Sequence, residues 1–338
     1  MKIKINGSYL YHFSDVVVSL ALDQVASTFS FFARFNPDNE QHKEIFKPLS
    51  FPKVEIYDDN NTLMLTGVIA VHAFKSQAEP SLVQLSGYSL PGVLEDCTIP
   101  VSAYPLESIN RSLKDIAEKL TKIFNVSLFI DPGVQREAAA IYAKTVAEPT
   151  DTIKTYLAKL AAQRNIVLSH NPKGQLVLFR PDVSAQPVYF FNKDNTLNMG
   201  FSVNGQGLHN EVSIIRQPSE KSGNASLVDT AKNLLVGAFR PTVGVLSSGI
   251  TADTKKAADN KMAAELKNIS LSVVREGYLA IVPGQTVEAQ NKEIYLYQRT
   301  RFVADNVTIT KKETGYTTEI NLVLPETFTG ATPKNIFA

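Results

Sequence analysis

The sequence predicts a multi-domain, mainly β protein in which two antiparallel β barrels, each with its own sheet, flank a small α+β module. Three observations carry this. Apolar and polar residues alternate with period two up to about Pro100, the period becomes helical between about Val101 and Asp182, and period two returns after Pro187. The length of 338 residues fits two or three domains. The expected boundaries are 1–100 for the first barrel, 101–182 for the module and 183–338 for the second barrel, with an inserted loop and helix at about 217–267.

In the first region Lys2 to Ile5, Thr28 to Phe35, Val54 to Tyr57, Leu63 to Phe74 and Ser81 to Tyr88 read as strands. Asp58, Asp59, Asn60 and Asn61 form a turn between two of them. A calcium loop would need the Gly and the distant Glu that this tetrad lacks. In the middle region Leu106, Ile109, Leu113, Ile116, Leu120 and Ile123 recur at helical spacing, and Ser112 with Asp115 offers an N-terminal cap inside that stretch. A second helix is expected from Thr150 or Asp151, with Ile153, Tyr156, Leu157 and Leu160 on its buried side. Each helix is followed by an Asn (Asn125, Asn165) and a strand. Asn tolerates the left-handed backbone that closes a helix, so both read as C-terminal caps of a helix-strand duplication. After the turn at His170 to Gly174, Gln175 to Arg180 reads as a strand.

Strands return at Val188 to Phe191, Met199 to Val203 and Glu211 to Arg216. Gln217 to Ile250 is rich in Ser, Gly and small residues, which predicts a mobile loop. Thr251 is placed to cap a helix running to about Lys267, with a thin apolar side of Ala257, Ala258, Met262 and Leu266. Ile269, Leu271 and Val273 then alternate with Ser270 and Ser272. Val307 and Ile309 lead through Glu313, Thr314 and Gly315 into Tyr316, Thr318, Ile320 and Leu322, a terminal hairpin.

Several function classes are excluded or disfavoured. Lys plus Arg is 34 and Asp plus Glu 33, a net charge of +1, so bulk charge cannot drive tight DNA binding. Cys97 is the only cysteine, which leaves no internal disulfide and no thiolate cluster; His12, His42, His72, His170 and His209 are too widely spaced for a local metal motif. No run approaches the eighteen or so apolar residues of a membrane helix, and Lys2 to Ile5 alternate where a secretory signal would not. A soluble chain synthesised in the cytoplasm is expected. Gly205 and Gly207 lack the third glycine of a dinucleotide fingerprint, and no Gly-x-Ser-x-Gly elbow occurs. Glu95 and Asp96 are neighbours that do not face one gap, and these acidic residues oppose a nucleophilic Cys97. Phe29, Phe31 and Phe35 fit strand packing. Arg299, Arg301, Lys311 and Lys312 make the last hairpin locally basic, either as a solvated face or as a weak attraction for nucleic acid in a pore. No enzyme and no cofactor are expected, and a structural or interaction role remains.

The stretch from Leu85 to Cys97, with Gly87, Leu94, Asp96 and Cys97, resembles the end of the first barrel in the baseplate hub proteins of Mu-like contractile-tailed phages, related to the late control D protein family. Tyr57 to Val68 resembles that family's hairpin with a Thr-Gly step at Thr66 and Gly67. Leu113 to Ile130 resembles the opening of its middle module, and Gly315 to Phe328 its closing strand. The family usually has a basic residue where this chain has Tyr88. The resemblance implies a homotrimeric ring in the virion tail baseplate, contacting the tail tube protein, the central spike protein and other baseplate proteins, with DNA passing through its channel. Two alternatives stand beside it. One is the hub of a type VI secretion spike or other phage-derived injection machine, although those chains continue into a long β-helix and this one ends at Ala338; the other is a cell-envelope hydrolase. Within the 217–250 insertion, Phe239 and Arg240 are the candidate interface, either docking on a partner or tucking back onto their own domain.

Overall fold

The computed structural model describes residues 1–76, 81–216, 227–246 and 254–337. The first region contains β1 (Lys2–Ile5), β2 (Ser8–Leu10), β3 (Phe13–Ala21), β4 (Thr28–Arg34), α1 (Glu40–Ile45), β5 (Lys53–Tyr57), β6 (Leu63–Lys75) and β7 (Leu82–Ser89). The middle region contains α2 (Val93–Asp96), β8 (Glu107–Ser112), α3 (Leu113–Ile123), β9 (Leu128–Ile130), α4 (Gln135–Ala139), β10 (Ile141–Val146), α5 (Ile153–Ala162), β11 (Val167–His170) and β12 (Leu176–Phe179). The last region contains β13 (Phe190–Phe191), β14 (Asn198–Val203), β15 (Glu211–Arg216), β16 (Leu227–Lys232), β17 (Pro241–Leu246) and α6 (Thr254–Glu265). It closes with β18 (Ile269–Glu276), β19 (Thr286–Asn291), β20 (Leu296–Lys312), β21 (Gly315–Val323) and α7 (Glu326–Thr329). The mainly β class with an α+β middle is as the periodicity predicts.

The expected pair of separate barrels needs correction. One 13-stranded sheet runs β14-β18-β21-β20-β3-β4-β7-β6-β5-β1-β2, with β19 also pairing β20 and β13 pairing β19, and no closed barrel is found among the described residues. The cause lies in β20, which is 17 residues long and has only half of one edge covered by β19, from Leu296 to Val303. Beyond a bulge between Ala304 and Asn306, that same edge takes β3 instead, from Asn306↔Ala21 to Lys311↔Val16. Unpaired backbone in an apolar setting is costly, so β3 completes the edge. The hydrophobic core is shared accordingly: Ile3, Val18, Phe31 and Leu85 belong to one cluster with Phe302, Val307 and Ile320. Each such side chain, fully buried, contributes about 1.5–3 kcal/mol relative to exposure.

The turn reading at Asp58 to Asn61 holds. Thr62 N donates to the Asp58 carboxylate at 2.7 Å, and Asn61 takes the left-handed conformation with φ 66°. The middle module differs from its expected start. Leu106 and Ile109 do not extend the helix: Leu106 precedes β8, Ile109 lies within β8 where it pairs antiparallel with β10, and the helix begins only after Ser112. Ser112 and Asp115 form a complete capping box, which fixes the boundary at the residue pair that the sequence offered. Asn125 and Asn165 are left-handed, with φ 55° and 52°, and each closes its helix as expected. The helices α3 and α5 pack over β11-β12-β9 through Leu113, Ile116, Leu120, Ile153, Leu157 and Leu160.

The described part of the insertion is structured. Residues 227–246, expected within a loop, form β16 and β17 on either side of β15, antiparallel and parallel respectively. Helix α6 covers one face of this sheet, and Ala258 and Met262 bury Val212, Ile214 and Ala231. The sequence signal was weak because the strands are short and carry few large side chains. The remainder of the expected loop (217–226 and 247–250) and the cap position Thr251 lie outside the described residues.

Candidate functional site

The family-motif residues singled out by the sequence gather at one corner, where β6, β7 and α2 meet. Gly67 and Gly87 sit in adjacent strands at a close approach. A Cβ on Gly67 would lie 2.1 Å from the Tyr88 carbonyl oxygen, and one on Gly87 would lie 1.9 Å from that of Val68. The register Val68↔Tyr88 places these carbonyls beside the two glycines, and a bulge between Ile69 and Val71 follows. Only a residue without a side chain fits.

From there the chain turns through Leu90 to Gly92 into α2. Tyr88 Oη donates to the Asp96 carboxylate at 2.5 Å, across eight positions. Gly92 lies under the Tyr88 ring, since a Cβ there would meet the ring at 2.4 Å. Burial, reinforced by the Asp96 carboxylate, holds the Tyr88 phenol protonated well above its ordinary range. Tyr88 is thus a neutral donor tied to Asp96. Leu94 is fully buried in the core of the middle module. The Cys97 carbonyl accepts from Ile153 N at 3.1 Å, Thr98 bridges Thr152, and Lys154 pairs with Glu95 at 3.3 Å. Ser89 Oγ donates to the Val25 carbonyl and accepts from Ser27 N, at 2.9 and 3.1 Å. Gly67, Gly87, Leu94, Asp96 and Cys97 therefore make a bracket between the first strands and the module.

A second joint, which the sequence did not reveal, involves Lys267. Its ammonium lies between the carboxylates of Asp23 and Asp305, the latter at 3.3 Å, and 5.9 Å from the centre of the Phe328 ring. Asp305 stands where β20 passes from β19 to β3, and its carbonyl accepts from Leu22 N at 2.8 Å. Burial pushes the Asp305 carboxyl up against the opposing pull of Lys267. Lys267 itself is raised, its two carboxylates outweighing the burial that opposes its charge.

Phe239 and Arg240 lie apart from both joints. Arg240 is engaged within the chain: its guanidinium donates to the carbonyls of Leu208 and Gln206 at 3.1 and 3.2 Å, and its backbone N–H to the Asn210 side chain at 2.6 Å. Phe239 is 78% exposed. Of the four basic residues of the last hairpin, three are likewise committed. Arg299 pairs with Glu288, Arg301 donates to the Val183 carbonyl at 3.3 Å, and Lys311 binds Asp59 at 3.1 Å. Among the described residues no group of three or more His, Cys, Asp or Glu side chains converges as metal donors would. No helix there is long and apolar enough to cross a membrane.

Residues 91–180 match the family described as baseplate hub protein gp44-like, second domain. No curated protein matches the chain by sequence. Among solved structures, the chain is similar to the 43 kDa tail protein of prophage MuSo2 from Shewanella oneidensis, with a TM-score of 0.79 at 15% identity over 96% of this chain and 98% of that one. The tail protein from Neisseria meningitidis MC58 gives a TM-score of 0.79 at 21% identity over 98% of both chains. The Escherichia coli c3393 protein, a component of the type VI secretion system, gives 0.63 at 9% identity over 99% of this chain and 80% of that one. The resemblance to baseplate hub proteins is thus borne out for residues 91–180 by the family match, and over the whole chain the solved structures show a fold shared with prophage tail proteins.

Proposed function

We propose that this chain is a structural hub of a phage tail baseplate: a homotrimeric ring that joins the tail tube to the central spike and leaves a channel for DNA. What carries the reading is the end-to-end match to prophage tail proteins, joined to the hub-family match of residues 91–180. The geometry supports it in two ways. The residues of the family motif serve as a rigid bracket rather than as reacting groups, which suits a load-transmitting part. The β3–β20 ladder also sets two strand systems side by side in each chain. Three chains would then offer six such systems to a sixfold tube, and closed symmetry would hold them with repeated contacts. The protein would be made in the host cytoplasm and would act in the virion tail, alongside the tail tube, spike and other baseplate proteins, without turnover of its own.

The likeness to a type VI secretion component favours a second reading, in which the same hub serves a phage-derived injection machine. The native mass of the purified protein and its position in tail particles test both. Three chains per particle, located between tube and spike, is the expected result. A monomer that does not incorporate into tails overturns the hub reading, and incorporation into a secretion apparatus instead of a virion selects the second.

A further inference from the structure

The loop between β3 and β4, residues 22–27, is wedged among all three regions of the chain. Leu22 packs with Val303, Val323 and Phe328, and Val25, fully buried, belongs to the core of the middle module. Ser27 N and the Val25 carbonyl both bond Ser89 Oγ, at 3.1 and 2.9 Å. Between them the Gln24 carbonyl meets Nδ1 of His170, the last residue of β11, at 3.1 Å. A carbonyl oxygen only accepts, so Nδ1 carries the proton and the neutral ring keeps Nε2 as an acceptor. The turn after His170 is itself held tightly, since a Cβ on Gly174 would lie 2.7 Å from the Leu90 side chain.

His170 lines a cleft of about 290 Å³ at the meeting of the three regions, walled by Leu20, Leu22, Phe129, Val177, Phe179 and Ile309. Among the described residues no Asp, Glu, Lys or Arg lines it. Asp23 of the loop pairs with Lys267 instead, and Lys173 of the turn is not on the wall. The other titratable group of the cleft is Tyr278, whose phenol burial and the Asp58 carboxylate keep neutral. No side chain on the walls therefore balances a charge on the imidazole. Burial accordingly holds His170 below its ordinary value of 6.5, and the Gln24 carbonyl opposes this only in part.

We infer that His170 is a pH latch on this seam: neutral, it holds residues 22–27 against the middle module, and protonated, it releases them. Protonation adds a full charge and a second ring N–H to an apolar cleft, and opening lets water solvate both. The folded value lies below the unfolded one, so the contribution of the latch is complete above about pH 6.5 and is lost as pH falls. The strands and the module each keep a core of their own when the seam opens. The latch acts within one chain and does not depend on the ring.

The test is carried out on the full chain, wild type and His170→Gln, by NMR titration of the imidazole and by hydrogen exchange from pH 7.5 to pH 5.0, with each rate referred to the intrinsic rate at that pH. Gln keeps a side-chain N–H donor and never becomes charged. In the wild type His170 should titrate below 6.5, and protection of the Leu22, Ser27 and Ser89 amides should fall about 3- to 30-fold relative to β21. The upper figure is the ceiling for a group that titrates at 6.5 when open and stays neutral when closed. In the variant that protection should not change. Asp305, whose raised carboxyl responds to acid as well, is common to both chains, so the difference between them isolates His170. An imidazole that titrates at or above 6.5, wild-type protection that does not fall, or an equal fall in the variant overturns the latch. Should the variant not fold at pH 7.5, the wild type decides alone: a loss of protection that begins above pH 5.5 supports the latch, and one that begins only below it, where carboxylates titrate, overturns it.

Discussion

Ser19 and Thr308 face each other across the β3–β20 ladder with their hydroxyl oxygens 3.1 Å apart, although 289 positions separate them in the chain. Closing so wide a loop costs entropy that local pairs do not. What offsets it is the buried row alongside, where Val18, Val307 and Ile309 are at most 1% exposed.

The first and last strand regions should consequently unfold together. Ile309→Ala is expected to cost about 2–5 kcal/mol. Native-state hydrogen exchange should show protection falling equally in β4 and β21. Undiminished protection in β4 would mean that the two regions open independently.

Gly67→Ala should destabilise the corner by about 1–3 kcal/mol, toward the upper end because the obstruction is the Tyr88 backbone and cannot rotate away. Gly205→Ala, where a Cβ meets nothing within 4 Å, should stay within about 0.5 kcal/mol. Urea denaturation of the two variants gives the comparison, and equal midpoints would refute the close-approach account.

Lys267→Met removes the cation between Asp23 and Asp305 and should cost about 3–5 kcal/mol at neutral pH, less to the extent that water reaches the site. The Asp305 carboxyl is already raised in the folded state, and the variant raises it further. A raised carboxyl contributes stability that is present below its unfolded value and is lost as pH rises through the folded one. The deficit of the variant should therefore shrink from pH 7 toward pH 4. Thermal melts across that window provide the check, and a constant deficit would argue against an electrostatic role.

Tyr278, pushed up to about 12 by burial and by the nearby Asp58 carboxylate, should make the fold sensitive to alkali. Its contribution is complete below pH 10 and is lost between about 10 and 12, because the unfolded chain gives up the phenolic proton first. Tyr278→Phe should flatten the loss of stability over that interval without abolishing it, since Tyr88 and Tyr316 are raised as well. Denaturation midpoints at pH 9 and pH 11 would show this directly.

Ser112→Ala should cost about 1 kcal/mol by opening the capping box at the start of α3. Asp115→Asn should lose a similar amount at pH 7, with the difference vanishing at acid pH. The wild-type carboxyl is held low chiefly by the Ser112 backbone N–H, and its contribution is lost as pH falls through that lowered value.

The sequence by itself determined the features that depend on a few consecutive residues. Period two marked β5, β6, β18 and the β20–β21 hairpin, Ser112 and Asp115 marked a helix start, and Asn125 and Asn165 marked two helix ends, because backbone sterics and local hydrogen bonds act within one turn. The Thr66–Gly67 step and the run from Leu85 to Cys97 were legible as a motif, but the bond from Tyr88 to Asp96 was not, since it spans a turn whose path the sequence does not specify. Leu106 and Ile109 misled for a related reason: their spacing suits a helix, but the ladder with β10 makes Ile109 strand and leaves Leu106 just before it. The tertiary structure alone decided that β3 completes the edge of β20, that Lys267 sits between Asp23 and Asp305, and that residues 227–246 become strands beside β15. Each of these joins segments tens to hundreds of residues apart. Such a pairing is selected by burial and by the need to satisfy backbone groups across the whole molecule, quantities that no local window of sequence contains.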